Sequence, residues 1–192
     1  MPTSVSDRPD VDLPEKERYT YEDYRQLPEG APYELIRGQL VMSPAPTPYH
    51  QIIQANLFFE LSKVVREGNQ GRVVGPPLDV RLDDTTVLQP DLVYLATART
   101  DRIGEQAIEG APDLVAEILS PATAHRDLTE KKRLYEIHGV REYWVVDPEQ
   151  QAVEVFAHTE EGFMQRARVV EEGTVTSGLL NALEVRLSDL FQ

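Results

Sequence analysis

The chain has 192 residues, of which 41% are hydrophobic and 27% are charged, a balance typical of one globular domain with a sizeable core. It contains no cysteine, which excludes a disulfide framework and a thiolate metal site. The net charge of -14 opposes binding to another polyanion unless that charge is locally inverted or neutralised by cations.

The N-terminal segment, residues 1–18, is rich in Pro, Asp and Glu and predicts a disordered acidic tail before a single domain at 19–192. It has no apolar signal segment, and no later apolar run is long enough to span a bilayer. We therefore expect a soluble cytoplasmic protein without a membrane partner. The TYED stretch at Thr20 is typical of a capping box and predicts a short helix that ends before Pro28.

Two hairpins and a long helix are predicted next. YELIRGQLVMSP indicates two strands joined at Arg37 and Gly38. Helical spacing predicts a helix over 49–67 that ends at Gly68. Its apolar positions are Ile53, Leu57, Leu61 and Val64. RVVGPPLDVRL and VLQPDLVYLA predict an antiparallel pair joined by DDTT, and the second strand should be central because it is apolar on both faces.

The second half of the chain predicts a crossover unit over 113–147. LVAEILSP indicates a buried strand, and a helix follows from Ala124 to His138 and ends at Gly139. REYWVVDP and AVEVFAH indicate two further strands, and the C-terminal segment adds strands and turns. This order predicts an α/β fold: a mixed central sheet flanked by helices, with parallel strands across the crossover and an N-terminal β-hairpin.

Two acidic residues stand out within these strands. A carboxylate such as Glu117 costs several kcal/mol in an apolar interior without partners. Strand alternation places Asp91 with Val93 on one face of its strand, so Asp91 and Glu117 meet if the two strands are neighbours in register. Two carboxylates this close repel each other, so either one keeps its proton through a raised pKa or a cation such as Mg²⁺ or Mn²⁺ lies between them. The alternative is an Asp in a turn after Pro and a Glu paired with an Arg.

The second predicted helix adds a cation, Lys131, with a polar residue four positions before it and another four positions after it. Asp127, Lys131 and Tyr135 lie at i, i+4 and i+8 on one stripe, so the ammonium could reach the sheet past an apolar border. There it would orient a nucleophile or offset charge on phosphorus. The spacing alone favours a solvated helix face with an Asp127–Lys131 pair.

Five segments together resemble a known family. They are YELIRGQLV, His50 at a helix start, QPDLVYL, VAEILSPAT and DLTEKKRLYEIHGVREYWVVDP. Over about residues 20 to 190 the chain looks like the Uma-two family of restriction-endonuclease-like proteins, part of the PD-(D/E)XK nuclease superfamily. The resemblance implies a restriction-endonuclease-like core and metal-dependent hydrolysis of DNA phosphodiesters, with Mg²⁺ or Mn²⁺ as the cofactor.

The resemblance also implies roles for individual residues. The family's PD aspartate falls on Asp91 and its second acidic metal ligand falls on Glu117. Glu34 matches a further acidic position, with the implied role of completing the metal shell or holding a water molecule. The superfamily's lysine ordinarily lies two residues after the glutamate, where this chain has Leu119. The matching family lysine is Lys131. The accessory positions are His50, Lys132, Asp127 and Tyr135, and a buried structural role for His50 is an equal alternative.

Three functions remain open at this point. The first is a Mg²⁺-dependent DNA endonuclease that binds DNA weakly and in a salt-dependent manner, through a basic rim that a homodimer would double. That rim comprises Arg126, Lys131, Lys132 and Arg133, with Arg141 just beyond, and it is diluted by Asp127 and Glu130. The second is a nuclease-fold binding or regulatory protein with weak or no catalysis, which Leu119 and the net charge favour. The third is a hydrolase of another phosphoester or nucleotide.

Overall fold

The computed structural model describes residues 13–28 and 30–192 as a mixed α/β fold with sheets flanked by helices. This confirms the predicted fold class. Residues 1–12 of the predicted acidic tail lie outside the described residues, and residues 13–18 form neither helix nor strand. In the described part of the chain, no helix has both the length and the apolar character needed to cross a membrane.

The elements are numbered here in chain order. The strands are β1 (Tyr33–Ile36), β2 (Gln39–Met42), β3 (Gly71–Val74), β4 (Val80–Asp83), β5 (Thr86–Leu88), β6 (Leu92–Ala96), β7 (Ile108–Glu109), β8 (Leu114–Ile118), β9 (Glu142–Asp147), β10 (Ala152–Thr159), β11 (Gly162–Val170), β12 (Thr174–Thr176) and β13 (Glu184–Arg186). The α-helices are α1 (Tyr21–Tyr24), α2 (Pro48–Glu67), α3 (Ala124–Arg126), α4 (Lys132–Ile137) and α5 (Leu187–Leu190). A 3₁₀ helix occupies Thr97–Arg102 and a π-helical turn occupies Asp127–Lys131.

The largest sheet has the strand order β11-β10-β9-β8-β6-β3. Within it β6 pairs antiparallel with β8, with Leu92 opposite Ala116, and β8 pairs parallel with β9. These pairings confirm the parallel crossover unit and the interior position of β6. The strand β8 is buried along its whole length, which agrees with its continuous apolar sequence.

The two long strands predicted around DDTT are each divided between two sheets. Residues 71–83 contain β3 and β4, and β3 joins the large sheet while β4 pairs with β5 in a second sheet of order β2-β1-β5-β4-β7. Pro76 and Pro77 interrupt the first predicted strand, and Pro90 interrupts the second. Proline has no backbone N–H for a strand ladder, which explains why each segment leaves one sheet and enters another.

The large sheet carries an apolar layer on each face. On one face α2 packs through Ile53, Leu57 and Leu61 against residues of β6 and β8 that include Leu92 and Ala116. Val65 of α2 is fully buried, whereas Val64, which the helical spacing predicted, packs only partly against this core. The other face carries Val93, Leu95 and Val115, which pack against Leu134 and Tyr135 of α4.

The helix predicted after β8 is continuous over 124–137 but has three segments. The π-helical turn separates α3 from α4 and contains both Asp127 and Lys131. Both side chains are buried, and Leu128 between them is exposed. The solvated face predicted for Asp127 and Lys131 is therefore wrong, because this turn buries both side chains and leaves Leu128 outside.

Candidate functional site

Asp91 and Glu117 lie side by side at one end of the β6–β8 pair. Asp91 immediately precedes β6, and extension of the register from Leu92 opposite Ala116 places it opposite Glu117. Asp91 Oδ2 accepts a hydrogen bond of 2.7 Å from the backbone N–H of Ile118. The two strands that supply these carboxylates are thus neighbours, as the alternation argument required.

The ammonium of Lys131 lies among three carboxylates. Its Nζ atom is 2.8 Å from Glu34 Oε1, 3.2 Å from Glu117 Oε1 and 3.4 Å from Asp127 Oδ1. Lys131 is only 4% exposed, so water screens these interactions weakly. Burial lowers the pKa of Lys131, but the surrounding carboxylates, Glu117 foremost, raise that pKa well above its ordinary value. The lysine is therefore a fixed positive charge at the centre of the site.

Glu34 connects this cluster to the second sheet. It lies in β1, is completely buried, and its Oε1 accepts a hydrogen bond of 2.8 Å from the backbone N–H of Gln89. Arg126 is 3.6 Å from Glu34 Oε2 and is partly exposed. The site thus lies where the two sheets meet, and it draws on β1, β6, β8 and the π-helical turn.

The cluster carries more negative than positive charge. Glu34, Glu117 and Asp127 share the two permanent cations Lys131 and Arg126, and Asp91 has only His50 as an ion-pair partner among the described residues. Burial raises the pKa of Glu117 well above its ordinary value, and Lys131 only partly opposes the shift. Burial also raises the pKa of Asp127. A proton or a bound cation is required to balance this excess charge.

Tyr135 fixes the orientation of Glu117. Its hydroxyl donates a hydrogen bond of 2.6 Å to Glu117 Oε1, the same oxygen that Lys131 contacts. Burial raises the pKa of Tyr135 well above its ordinary value, so the hydroxyl keeps its proton and remains a donor. Within the described residues no hydrogen bond uses Glu117 Oε2, which leaves that oxygen free to bind a ligand.

We expect Tyr135→Phe to lower the free energy of unfolding by about 1–2 kcal/mol, because the change removes the hydroxyl hydrogen bond in a buried site. Chemical denaturation monitored by circular dichroism measures this effect. Tyr49→Phe is the matched control, since its hydroxyl bonds Phe191 O at an exposed position and its loss should matter by less than about 0.5 kcal/mol. Equal stabilities of the two variants would contradict the proposed role of Tyr135.

His50 bridges two oxygen atoms at the same edge of the sheet. Its Nε2 lies 3.0 Å from the carbonyl oxygen of Ile118 and 3.3 Å from Asp91 Oδ2. Burial lowers the pKa of His50, but the hydrogen bond and charge of Asp91 raise it, and the net shift is upward. Its Nδ1 atom is buried without a hydrogen-bond partner among the described residues.

Gln54 is a site residue that the sequence analysis missed. Its side-chain amide donates to the backbone carbonyl of Asp91 at 3.0 Å and approaches Asp91 Oδ1 at 3.4 Å. Gln54 lies four residues after His50, one turn along α2, so both side chains lie on the same helix face. The four-residue spacing from His50 could have identified Gln54 as a site residue from the sequence.

Most of the predicted basic rim lies elsewhere. The ammonium of Lys132 is 3.4 Å from the ring centre of Phe156, and Lys132 makes no ion pair with the site carboxylates among the described residues. Arg133 pairs with Glu136 and Arg141 pairs with Asp113. Lys131 is buried. Within the described residues, Arg126 is the rim residue that is both partly exposed and paired with a site carboxylate, whereas the contacts given for Lys132, Arg133 and Arg141 are with groups outside the site.

A hard divalent cation matches the ligand chemistry at this edge. The carboxylates of Asp91 and Glu117 and the carbonyl of Ile118 are oxygen ligands of the kind that Mg²⁺ and Mn²⁺ prefer. The excess negative charge of the cluster also favours a cation. In the portion of the chain that the structure describes, no three His, Asp or Glu side chains already form a metal shell. A backbone carbonyl or water must therefore complete the coordination.

Comparison with known proteins finds a matching family and similar solved structures. Residues 21–188 match the Uma2 family, whose description is "Putative restriction endonuclease". The crystal structure of a putative nuclease belonging to DUF820 from Anabaena variabilis aligns with a TM-score of 0.73 and 26% sequence identity, covering 90% of this chain and 97% of that chain. No curated protein matches the chain.

Proposed function

Since this chain belongs to the Uma2 family of putative restriction endonucleases, we propose that it hydrolyses phosphodiester bonds of DNA with Mg²⁺ or Mn²⁺ as its cofactor. The observation that supports the proposal best is the pairing of Asp91 with Glu117 at one edge of the six-stranded sheet, with the Lys131 ammonium 3.2 Å from Glu117 Oε1. An acidic pair can hold a divalent cation. The cation and the nearby lysine then place positive charge beside the negative charge that develops on the phosphate.

Asp91, Glu117 and the carbonyl of Ile118 would hold the cation. When bound, it would polarise the phosphoryl oxygens and lower the pKa of a water molecule. The Ile118 N–H fixes the Asp91 carboxylate through Oδ2, while Gln54 holds the Asp91 backbone carbonyl and approaches Oδ1 at 3.4 Å, so that the position of the carboxylate does not depend on the ligand. Tyr135 and Lys131 fix one oxygen of Glu117 in the same way. These supporting contacts pre-organise the site, which reduces the cost of ordering it during the reaction.

The contacts of Lys131 support a positioning role. Its ammonium is enclosed by Glu34, Glu117 and Asp127, so it offsets their charge and orients Glu117. Direct orientation of the attacking nucleophile, the role suggested by the family pattern, requires Lys131 to leave at least one of these partners. Glu34 is proposed to hold Lys131 in place and to reach the cation through water.

DNA binding is proposed to be weak and strongly salt-dependent. The net charge is -14, and Arg126 is the surface cation beside the site. A homodimer would bring two such edges to one DNA molecule. Raising the salt concentration should weaken binding steeply, because each phosphate contact releases counterions.

Metal removal tests the proposed function directly. We expect the protein to nick supercoiled plasmid in Mg²⁺ or Mn²⁺, to lose this activity in EDTA, and to regain it when excess Mn²⁺ is added. Agarose gels report the nicking, and calorimetric titration reports Mn²⁺ binding in the absence of DNA. Cleavage that persists in EDTA, or the absence of Mn²⁺ binding by folded protein, would contradict the assignment.

A binding or regulatory role is the second candidate, and the enclosure of Lys131 favours it. The Lys131 ammonium already has three buried carboxylate partners, so it can belong to a structural polar core without contacting a substrate. This candidate predicts DNA or Mn²⁺ binding without any nicking. The same titration and plasmid assay, performed on one preparation, distinguish the two functions.

A further inference from the structure

A cavity of about 640 Å³ lies next to the candidate functional site. The residues that line it include Tyr21, Tyr24, Leu78, Asp79, Gln89 and Gln106. Gln89 joins the cavity to the site, because its backbone N–H donates to Glu34 and it lies two residues before Asp91. Two residues span at most about 7 Å. This separation is comparable with that between the base and the phosphate of one nucleotide.

The cavity contains a half-buried carboxylate without a cationic partner. Asp79 Oδ1 accepts hydrogen bonds of 3.0 Å from the Tyr24 hydroxyl and from the Gln89 side-chain amide, which are both neutral. Among the described residues, no Lys or Arg forms an ion pair with Asp79, and no hydrogen bond uses its Oδ2 or the Gln89 Oε1. Burial raises the pKa of Asp79. The cavity therefore presents two acceptor oxygens, Asp79 Oδ2 and Gln89 Oε1, that can accept hydrogen bonds from the N–H donors of a ligand.

From this geometry we infer that the cavity binds an unstacked guanine base. Guanine carries two adjacent N–H donors, the ring N1–H and the exocyclic 2-amino group, that can meet Asp79 Oδ2 and Gln89 Oε1. Adenine, cytosine and thymine each lack this pair of adjacent donors. Tyr21 and Leu78 supply an apolar wall, and the volume falls within the roughly 300–1,000 Å³ of ligand pockets. The inference rests on the proposed nuclease function and adds a base-recognising subsite to it.

Titration with nucleosides tests the inference without any phosphate or metal. Folded wild-type protein in EDTA is titrated with guanosine, inosine and thymidine, and saturation-transfer NMR reports binding. We expect saturable binding of guanosine. Inosine lacks only the 2-amino group and should bind at least about tenfold more weakly, the effect of losing one hydrogen bond to a charged acceptor. Thymidine should compete with guanosine even less than inosine does.

Variants identify the acceptor. Asp79→Asn should weaken guanosine binding by about tenfold or more, because an amide nitrogen faces the base donors in place of a carboxylate oxygen. Asp101→Asn, an equivalent change at an exposed position outside the cavity, should leave binding unchanged. If Asp79→Asn does not fold, as judged by circular dichroism, Gln89→Ala provides the test. It keeps the backbone N–H that binds Glu34 and should also weaken guanosine binding.

The nucleoside experiment and the plasmid assay fail independently. Guanosine binding with no plasmid nicking would support the subsite and contradict the nuclease proposal. Metal-dependent nicking with no saturable guanosine binding would do the reverse. Equal affinities for guanosine and inosine, or unchanged guanosine binding by folded Asp79→Asn, would each overturn the inference.

Discussion

Replacing Asp91 with Asn is expected to lower the rate of metal-dependent plasmid cleavage by about 10³-fold, which corresponds to about 4 kcal/mol of transition-state stabilisation. The amide has the size of the carboxylate, and its oxygen can still accept the hydrogen bond from the Ile118 N–H. It lacks the negative charge that a divalent cation requires. The lower cleavage rate should therefore come from weaker cation binding and not from a change in the fold.

Two measurements distinguish weaker cation binding from a loss of stability in Asp91→Asn. The free energy of unfolding, from chemical denaturation, should stay within about 1.5 kcal/mol of the wild-type value, because the change keeps the buried contact. Calorimetry should show weaker Mn²⁺ binding. Asp101→Asn, an exposed position, is the control and should cleave at the wild-type rate. Undiminished nicking by pure, folded Asp91→Asn protein would remove Asp91 from the catalytic assignment.

The meeting of Asp91 and Glu117 could be predicted because it depends on strand alternation. Side chains in a strand alternate between faces, so the sequence indicated which residues share a face with each carboxylate. The structure supplies the remaining condition, the antiparallel register that puts Leu92 opposite Ala116. The hairpin at Arg37 and Gly38 was predictable for a similar reason, since both residues have positive φ angles that suit a tight turn.

The surroundings of Lys131 could not be predicted from local sequence. Its nearest partner, Glu34, comes from another sheet and lies 97 positions earlier, and no periodicity relates the two. The π-helical turn also changes the phase of the helix, so that Asp127 and Lys131 point inward where regular spacing predicted a solvated face. Tertiary packing, rather than helix propensity, determines the environment of this lysine.

The division of the predicted long strands has a similar explanation. Prolines mark where a ladder must be interrupted, but they do not tell which sheet each half joins. That choice depends on burial: β4 and β5 pair with each other beside β1, and β3 pairs with β6. The consequence for the site is direct, because the link between β5 and β6 carries Gln89 to Glu34 and Asp91 to the end of β6.

Lys131→Met is expected to lower the free energy of unfolding by about 3–5 kcal/mol in EDTA, the cost of leaving buried charges without their partner. Methionine fills a similar volume, so the loss reports the missing charge and not a cavity. The affected carboxylates are Glu34, Glu117 and Asp127. Chemical denaturation at pH 8 measures the effect, and Lys63→Met, at an exposed position of α2, is the control.

The pH dependence of Lys131→Met provides a check on this cause. Burial raises the pKa of Glu117 above its ordinary value of 4.5, so its contribution to stability is fully present below that pH and is lost as the pH rises toward the folded-state pKa. Without Lys131 the pKa of Glu117 rises further. The variant should therefore lose less stability at pH 5 than at pH 8, where ionised Glu117 has no ammonium beside it.

A second substitution shows whether charge is the cause. Glu34→Gln added to Lys131→Met removes a buried carboxylate that has lost its ammonium and keeps only the partly exposed Arg126 as an ion-pair partner among the described residues. The double variant should therefore be more stable than Lys131→Met, although Glu34→Gln alone destabilises the wild-type protein. This reversal of sign is the signature of an ion pair, and loss of packing would not produce it. If both changes destabilise and their effects simply add, Lys131 is held by its hydrocarbon chain rather than by the carboxylates, and its proposed positioning role for Glu117 fails as well.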